Sequence, residues 1–161
     1  MAYFEHEGCT LHYEEYGQGE PLVLLHGLGS SSQDWEYQVP ELARAYRVIL
    51  LDVRGHGRSD KPRGRYSIAL FSADLLALIE HLRLGPVHYV GLSMGGMIGQ
   101  QFLLRYPARF DTVTLADTTS RYPAETRTVW EERLALVHSR GMDAIVPSTL
   151  ERWFTAAFRE G

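Results

Sequence analysis

A chain of 161 residues with 45% hydrophobic content is long enough to fill one good core and gives no sign of a second. A formal net charge of −4 with both signs interspersed supplies no basic stripe for nucleic acid, and no run approaches the roughly 20 apolar residues that cross a bilayer. Glu5, His6 and Glu7 stand where a signal peptide would carry an apolar run, and the single Cys9 can form no internal disulfide, so a cytoplasmic setting is expected.

Residues 3–9 and 10–16 alternate well enough to predict an antiparallel hairpin with Cys9 as a packed strand residue, and the turn at 17–21 ends it. Residues 21–26 hold the unbroken apolar run Leu22-Val23-Leu24-Leu25, which is how a strand covered on both faces reads; a central parallel strand is expected. After His26-Gly27-Leu28-Gly29 and residues 30–33, the shared face of Trp35, Val39, Leu42 and Ala43 predicts a helix from about 34 to 46. Residues 47–53 read as a second buried strand. It ends in the loop 52–60, which combines Gly55 and Gly57 with alternating charges and reads as a tight turn held by Asp and Arg pairing. Asp52, His56 and Asp60 recur every four residues, a spacing that would suit metal ligands on a helix; Gly55 and Gly57 argue against a helix, and no metal site is expected.

Ser67 is placed to cap a helix running to Leu82, with Ile68, Phe71, Leu75, Leu78 and Leu82 as its apolar stripe. A strand at 87–92, a helix at 97–106 and a strand at 111–116 follow. Strands and helices in this alternation predict an α/β fold with a mostly parallel sheet and ligands at the carboxyl ends of its strands. Beyond Thr118 the pattern changes to two helices, 126–139 and 148–159, the second with Leu150, Trp153, Phe154 and Ala157 on one side after Pro147 and Ser148.

The chemistry centres on Val90-Gly91-Leu92-Ser93-Met94-Gly95-Gly96. Its G-x-S-x-G pattern falls on a strand-to-helix turn, the context of a nucleophile elbow. A serine on so sharp a turn lifts its hydroxyl above the sheet, while the chain passes close enough that a Cβ at Gly91 or Gly95 would clash. Ser93 also stands at a helix N-terminus, where free N–H groups and the dipole favour negative charge on a bound oxygen. In an acyl-transfer enzyme the glycine loop is where the first oxyanion donor belongs, with the N–H of Leu28 paired to the N–H of Met94. His26 precedes that loop and is read, with Gly27, as its support rather than as the proton acceptor.

From residue 3 to 118 the chain resembles the α/β-hydrolase superfamily, through the hairpin, the His26-Gly27-Leu28-Gly29 loop, the loop 52–59 and the elbow. The resemblance implies the α/β-hydrolase fold, Ser93 as nucleophile, the N–H groups of Leu28 and Met94 as oxyanion hole, and no cofactor. With Ser rather than Asp at 93, it resembles the esterase or lactonase branch rather than a haloalkane dehalogenase. Residues 119–161 resemble the start of the helical cap over the family's active site, leaving 1–118 as the N-terminal part of the core. The runs 151–158 and 94–100 are similar to those of 3-oxoadipate enol-lactonases, which hydrolyse a carboxylate-bearing cyclic enol ester. A small ester or lactone is the implied partner. Arg133 and Arg152 could meet a substrate carboxylate, although exposed helix charges are commonly only solvated.

The family's triad continues from Ser to an acid and a His on the last strands of the sheet, and both are expected to be missing from this chain, which stops at Gly161. Asp117 and His138 are the stand-ins weighed for acid and base, and neither completes the triad convincingly. The strand 111–116 is then expected to be an edge, with unpaired backbone and an uncovered apolar face. Such a chain is expected to need a second polypeptide carrying the acid and base, or to self-associate. The rival expectation is a catalytically silent module that keeps the pocket and lacks the triad.

Overall fold

The computed structural model describes residues 2–161. Glu7 and Gly8 both take positive φ (48° and 69°), the twist that lets a two-residue turn join right-twisted strands. They link β1 (Ala2–His6) to β2 (Cys9–Tyr16) in an antiparallel hairpin with Phe4 opposite Leu11. β3 (Glu20–Leu25) sends Leu22 and Leu24 into one core and Val23 and Leu25 into the other, all of them buried, so its unbroken apolar run serves two faces.

The helix expected at 34–46 is instead a 3₁₀ turn (Ser32–Trp35) and a separate short helix, α1 (Val39–Leu42). Pro40 is the reason. It has no N–H to donate, and its ring would strike the carbonyl of Glu36, so it is tolerated only in the first turn of a new helix. The apolar face survives the break: Trp35, Leu42 and Ala43 pack with Val39 on Leu22, Leu24, Val48 and Leu50.

β4 (Tyr46–Leu51) precedes the charged loop, and α2 (Ile68–His81) begins where the Ser67 hydroxyl accepts the N–H of Leu70 at 3.1 Å. β5 (Val87–Leu92) runs into α3 (Met94–Arg105), which starts three residues earlier than expected. Gly95 and Gly96 read as helix breakers by propensity, and tertiary packing overrides them. α2 and α3 fill the larger core with Phe71, Leu75, Leu78, Ile79, Ile98 and Phe102. β6 (Phe110–Ala116) completes a six-stranded sheet of order β1-β2-β4-β3-β5-β6, antiparallel only in the hairpin and its junction with β4. This is the α/β-hydrolase fold, with β3 central and β6 at an edge. Along β6 the exposed positions are largely polar (Asp111, Thr112, Thr114), with Leu115 the apolar exception at 42% exposed.

The charged loop is closed on itself by the Arg58 N–H, which donates to Asp52 at 2.9 Å, while its guanidinium groups also reach elements outside it. Arg58 extends its guanidinium to Glu14 (2.7 Å), and Arg54 reaches α2, donating from Nε and Nη2 to the two oxygens of Asp74 at 2.7 and 2.6 Å. His6 Nδ1 donates to the same carboxylate at 2.6 Å. Asp74 is fully buried and Arg54 nearly so, and the bonds to Asp74 push the guanidinium pKa up still further.

The chain divides into two compact units, one ending at Ser120 and the other spanning Arg121–Gly161. The second holds α4 (Thr126–Arg140), a 3₁₀ turn (Met142–Ile145), α5 (Val146–Trp153) and α6 (Ala156–Arg159), with no fully buried residue in any of them. The single helix expected at 148–159 is broken. Phe154 is extended (φ −124°, ψ 142°), the Thr155 hydroxyl caps the next turn by accepting the N–H of Phe158, and the Phe154 and Phe158 rings stack 5.0 Å apart. Among the described residues no helix is long and apolar enough to cross a membrane.

The triple tie on Asp74 joins α2, β1 and the loop after β4. Replacing Asp74 by Ala strands Arg54 in the core, and should cost about 3–5 kcal/mol in urea unfolding. The double change Asp74→Leu with Arg54→Met should cost less than either single change, because it removes both charges together.

Candidate active site

β5 turns into α3 at Ser93, whose φ of 51° and ψ of −109° lie where non-glycine residues are rarely found. Three bonds hold it there. The Ser93 N–H donates to the Ala116 carbonyl (2.9 Å), and its own carbonyl accepts from the Thr118 hydroxyl (2.7 Å) and the Met97 N–H (3.2 Å). The turn has no spare volume: a Cβ on Gly91 would stand 2.5 Å from the carbonyl carbon and oxygen of Gly95, and one on Gly95 would stand 2.4 Å from the Leu25 oxygen. The Tyr89 hydroxyl donates to the Gly95 carbonyl at 2.5 Å from the buried side, and burial pushes its pKa far above the usual phenol range.

β3 pairs with β5 so that Leu25 lies opposite Gly91, which brings the loop after β3 to the serine. A Cβ built on Gly27 would be 3.6 Å from the Ser93 Cβ, an ordinary contact, so Gly27 borders the elbow without being excluded by size. The glycine that uses its freedom in this loop is Gly29, at φ 77°. Leu28 between them is 46% exposed, whereas Met94, the first residue of α3, is buried.

His26 is completely buried and committed at both nitrogens: Nε2 accepts the Val53 N–H at 3.2 Å, and Nδ1–H donates to the Gly27 carbonyl at 2.7 Å. That pattern fixes the neutral tautomer, and burial pushes the pKa below the usual histidine value. His56, with its ring 5.2 Å from that of His26, is lowered by burial as well. Asp52 is also buried. Desolvation alone would raise its pKa, but the N–H groups of Arg58 (2.9 Å) and Ser32 (2.7 Å), with His12 Nδ1 at 3.0 Å, outweigh that and lower it.

Asp60 faces away from this cluster and accepts the Thr10 N–H. Among the described residues no three His, Cys, Asp or Glu side chains are grouped to hold a metal ion. Asp117 follows β6 with φ 43°, and His138 lies on α4 in the second unit. Arg133, also on α4, donates to the Thr149 hydroxyl and lies over the Trp130 ring, while Arg152 is exposed on α5. Thr118, Tyr89 and the pair of His12 with Asp52 are the structural residues that sequence reading passed over.

A family model described as the alpha/beta hydrolase fold matches residues 20–155. The chain belongs to the α/β-hydrolase family. Among its α/β-hydrolase relatives, 3-oxoadipate enol-lactonase 2 of Acinetobacter baylyi is 35% identical over 96% of this chain and 58% of its own length. The enol-lactonase of Burkholderia xenovorans superposes with a TM-score of 0.92 at 34% identity, over 99% of this chain and 62% of that one. A thermophilic esterase of Thermogutta terrifontis gives 0.87 at 30% identity, over 98% and 59%. The chain thus spans about three fifths of the length of these relatives.

Two consequences are measurable. Gly95→Ala should destabilise the protein by at least about 1–3 kcal/mol in chemical denaturation, because the obstructing atom is a strand carbonyl rather than a side chain that can swing away. His26 and His56 set an acid limb. Their folded pKa values lie below the unfolded value of about 6.5, so the unfolded chain takes up protons first. Their contribution to stability is full above about pH 6.5 and is lost as pH falls from there toward the folded pKa values. Urea midpoints at pH 7.5 and 5.5 should show this loss, and His26→Asn should reduce the pH dependence while lowering stability at both values.

Proposed function

We propose that this chain carries the nucleophilic half of a serine hydrolase acting on small carboxylic esters or lactones. The observation that supports this most directly is the strained Ser93, sealed by Gly91 and Gly95 at the amino end of α3 and bordered by the glycine loop after β3. In the proposed reaction Ser93 Oγ attacks the substrate carbonyl, whose π electrons move onto its oxygen. The serine proton passes to a base, the N–H groups of Leu28 and Met94 stabilise the oxyanion, the C–O bond breaks as the oxyanion collapses and the base protonates the departing oxygen, and water hydrolyses the acyl-enzyme. The likeness to two enol-lactonases favours a carboxylate-bearing cyclic enol ester as the narrower substrate class.

The proton acceptor is proposed to come from polypeptide outside these 161 residues. Five of the six histidines in the first unit are hydrogen-bonded within 3.2 Å to partners other than Ser93: His6 to Asp74, His12 to Asp52, His26 to Gly27 and Val53, His56 to Arg54, and His88 to Thr112 and Glu20. His81 lies against Tyr13 and Phe4. The same observation favours the second reading, a silent binding module that keeps the pocket. Hydrolysis of a p-nitrophenyl ester separates the two. Ser93-dependent turnover supports the enzyme, with Ser93→Ala expected to lower kcat at least about 10³-fold. Turnover that survives the substitution removes Ser93 from the reaction, and turnover that appears only with a second polypeptide locates the base there.

A further inference from the structure

We propose that Asp52 is a positioning residue for the oxyanion loop, acting with the neighbouring Val53 N–H to grip both ends of the segment from His26 to Ser32; this rests on the reading of Leu28 as an oxyanion donor. Both grips come from the carboxyl end of β4. At the start of the segment the Val53 N–H donates to His26, whose other nitrogen holds the Gly27 carbonyl. At its end the Ser32 N–H donates to Asp52 Oδ1 at 2.7 Å. Between these anchors the loop has little packing to define it, since Leu28 is 46% exposed and Gly29 has a left-handed backbone. Its shape therefore depends on its tethered ends.

Asp52 is built into place for this task. It is 1% exposed, and its second oxygen accepts the Arg58 N–H at 2.9 Å and His12 Nδ1 at 3.0 Å. Gly57 passes directly over the carboxylate; a Cβ there would lie 2.3 Å from Oδ2. A carboxylate needed only to close the turn 54–58 would be served by the Arg58 N–H. The bond to Ser32 crosses 20 positions of sequence to a different loop, and that loop is the one bordering Ser93. Misplacement of a group by about 1 Å can cost about 10²-fold in rate, so a tether outside the reacting atoms can govern turnover.

The test compares the wild-type protein as purified with Asp52→Asn, Ser32→Pro and, as control, Asp60→Asn. Ser32→Pro deletes the N–H donor, together with the Ser32 hydroxyl that also bonds to Asp52, and leaves the carboxylate in place. Its backbone setting suits proline: Ser31 is extended (φ −156°, ψ −177°), and position 32 is the first residue of a 3₁₀ turn. Asp60→Asn removes the same charge from the same loop, on the side that holds Thr10.

Hydrogen exchange at amides 28–31 and p-nitrophenyl acetate kinetics are read together. Asp52→Asn and Ser32→Pro should each speed exchange at 28–31 at least about tenfold while β3 and α2 stay within about twofold. Each should lower kcat about 10- to 100-fold with KM within about threefold, since the donor acts mainly in the transition state. Asp60→Asn should move neither. Unchanged exchange at 28–31 in Ser32→Pro overturns the tether, as does faster exchange with unaltered kcat. If the wild type shows no Ser93-dependent turnover even with the polypeptide that supplies the base, the hydrolase reading fails by itself, and the exchange data still decide whether Asp52 fixes the loop. If Asp52→Asn does not fold, Ser32→Pro carries the test.

Discussion

The structure depends on one steric fact: where β5 meets α3 there is no room for a Cβ at position 91 or 95. With glycine at both, the first turn of α3 settles onto the Leu25 carbonyl at the end of β3, and the chain reverses within the single residue Ser93. A serine at φ 51° costs on the order of 1–3 kcal/mol, and such strain persists only where the surroundings over-determine it. Here β6 and the residues just after it do so, through Ala116 and Thr118, while Tyr89 steadies Gly95 from below. Three parallel strands thus converge on one backbone conformation, that of Ser93.

A second layer of constraint is electrostatic. Asp52, Arg54 and Asp74 are buried, and a buried charge without partners would cost several kcal/mol. Each is paired: Arg54 with Asp74, Asp74 also with His6, and Asp52 with two backbone N–H groups and His12. Apart from the Arg58 N–H, which closes its own loop on Asp52, these bonds run between segments, from the hairpin to the loop after β4, from that loop to α2, and from the end of β4 to the loop beside Ser93. Packed side chains determine the sheet. Buried charges determine the loops at its carboxyl ends, where exposure leaves packing little influence.

Legibility in the sequence followed the range of the forces involved. The run Leu22-Val23-Leu24-Leu25 announced a doubly covered strand, and the stripe from Phe71 to Leu78 announced α2, because both are written in local periodicity. The G-x-S-x-G turn was legible because its pattern is short and local, although only Gly91 answers a local collision and Gly95 makes room for the distant Leu25 carbonyl. The break at Pro40 overrode a valid apolar stripe, the start of α3 was hidden by Gly95 and Gly96, and the extended Phe154 depends on a cap and a ring stack that periodicity does not encode. Arginine pairing inside the loop 52–60 was the natural reading of alternating charges. It holds for the Arg58 N–H on Asp52, whereas the side-chain partners Asp74 and Glu14 lie 20 and 44 positions away. Thr118 on the Ser93 carbonyl and His12 on Asp52 are contacts of the same long-range kind, with no local trace.

The arrangement separates two requirements of the proposed chemistry. Nucleophile and oxyanion donors must keep their mutual geometry to within a fraction of an ångström, and here they lie on segments joined by adjacent strands, with Leu25 paired to Gly91. A general base needs only hydrogen-bond reach to the serine hydroxyl, through contacts that tighten when substrate binds. His26 cannot serve both needs, because an imidazole that holds Gly27 and Val53 has no nitrogen left for a proton from Ser93. Bracing the loop and accepting the proton are therefore tasks for different histidines. A base from another polypeptide segment could join without disturbing the constrained half of the site.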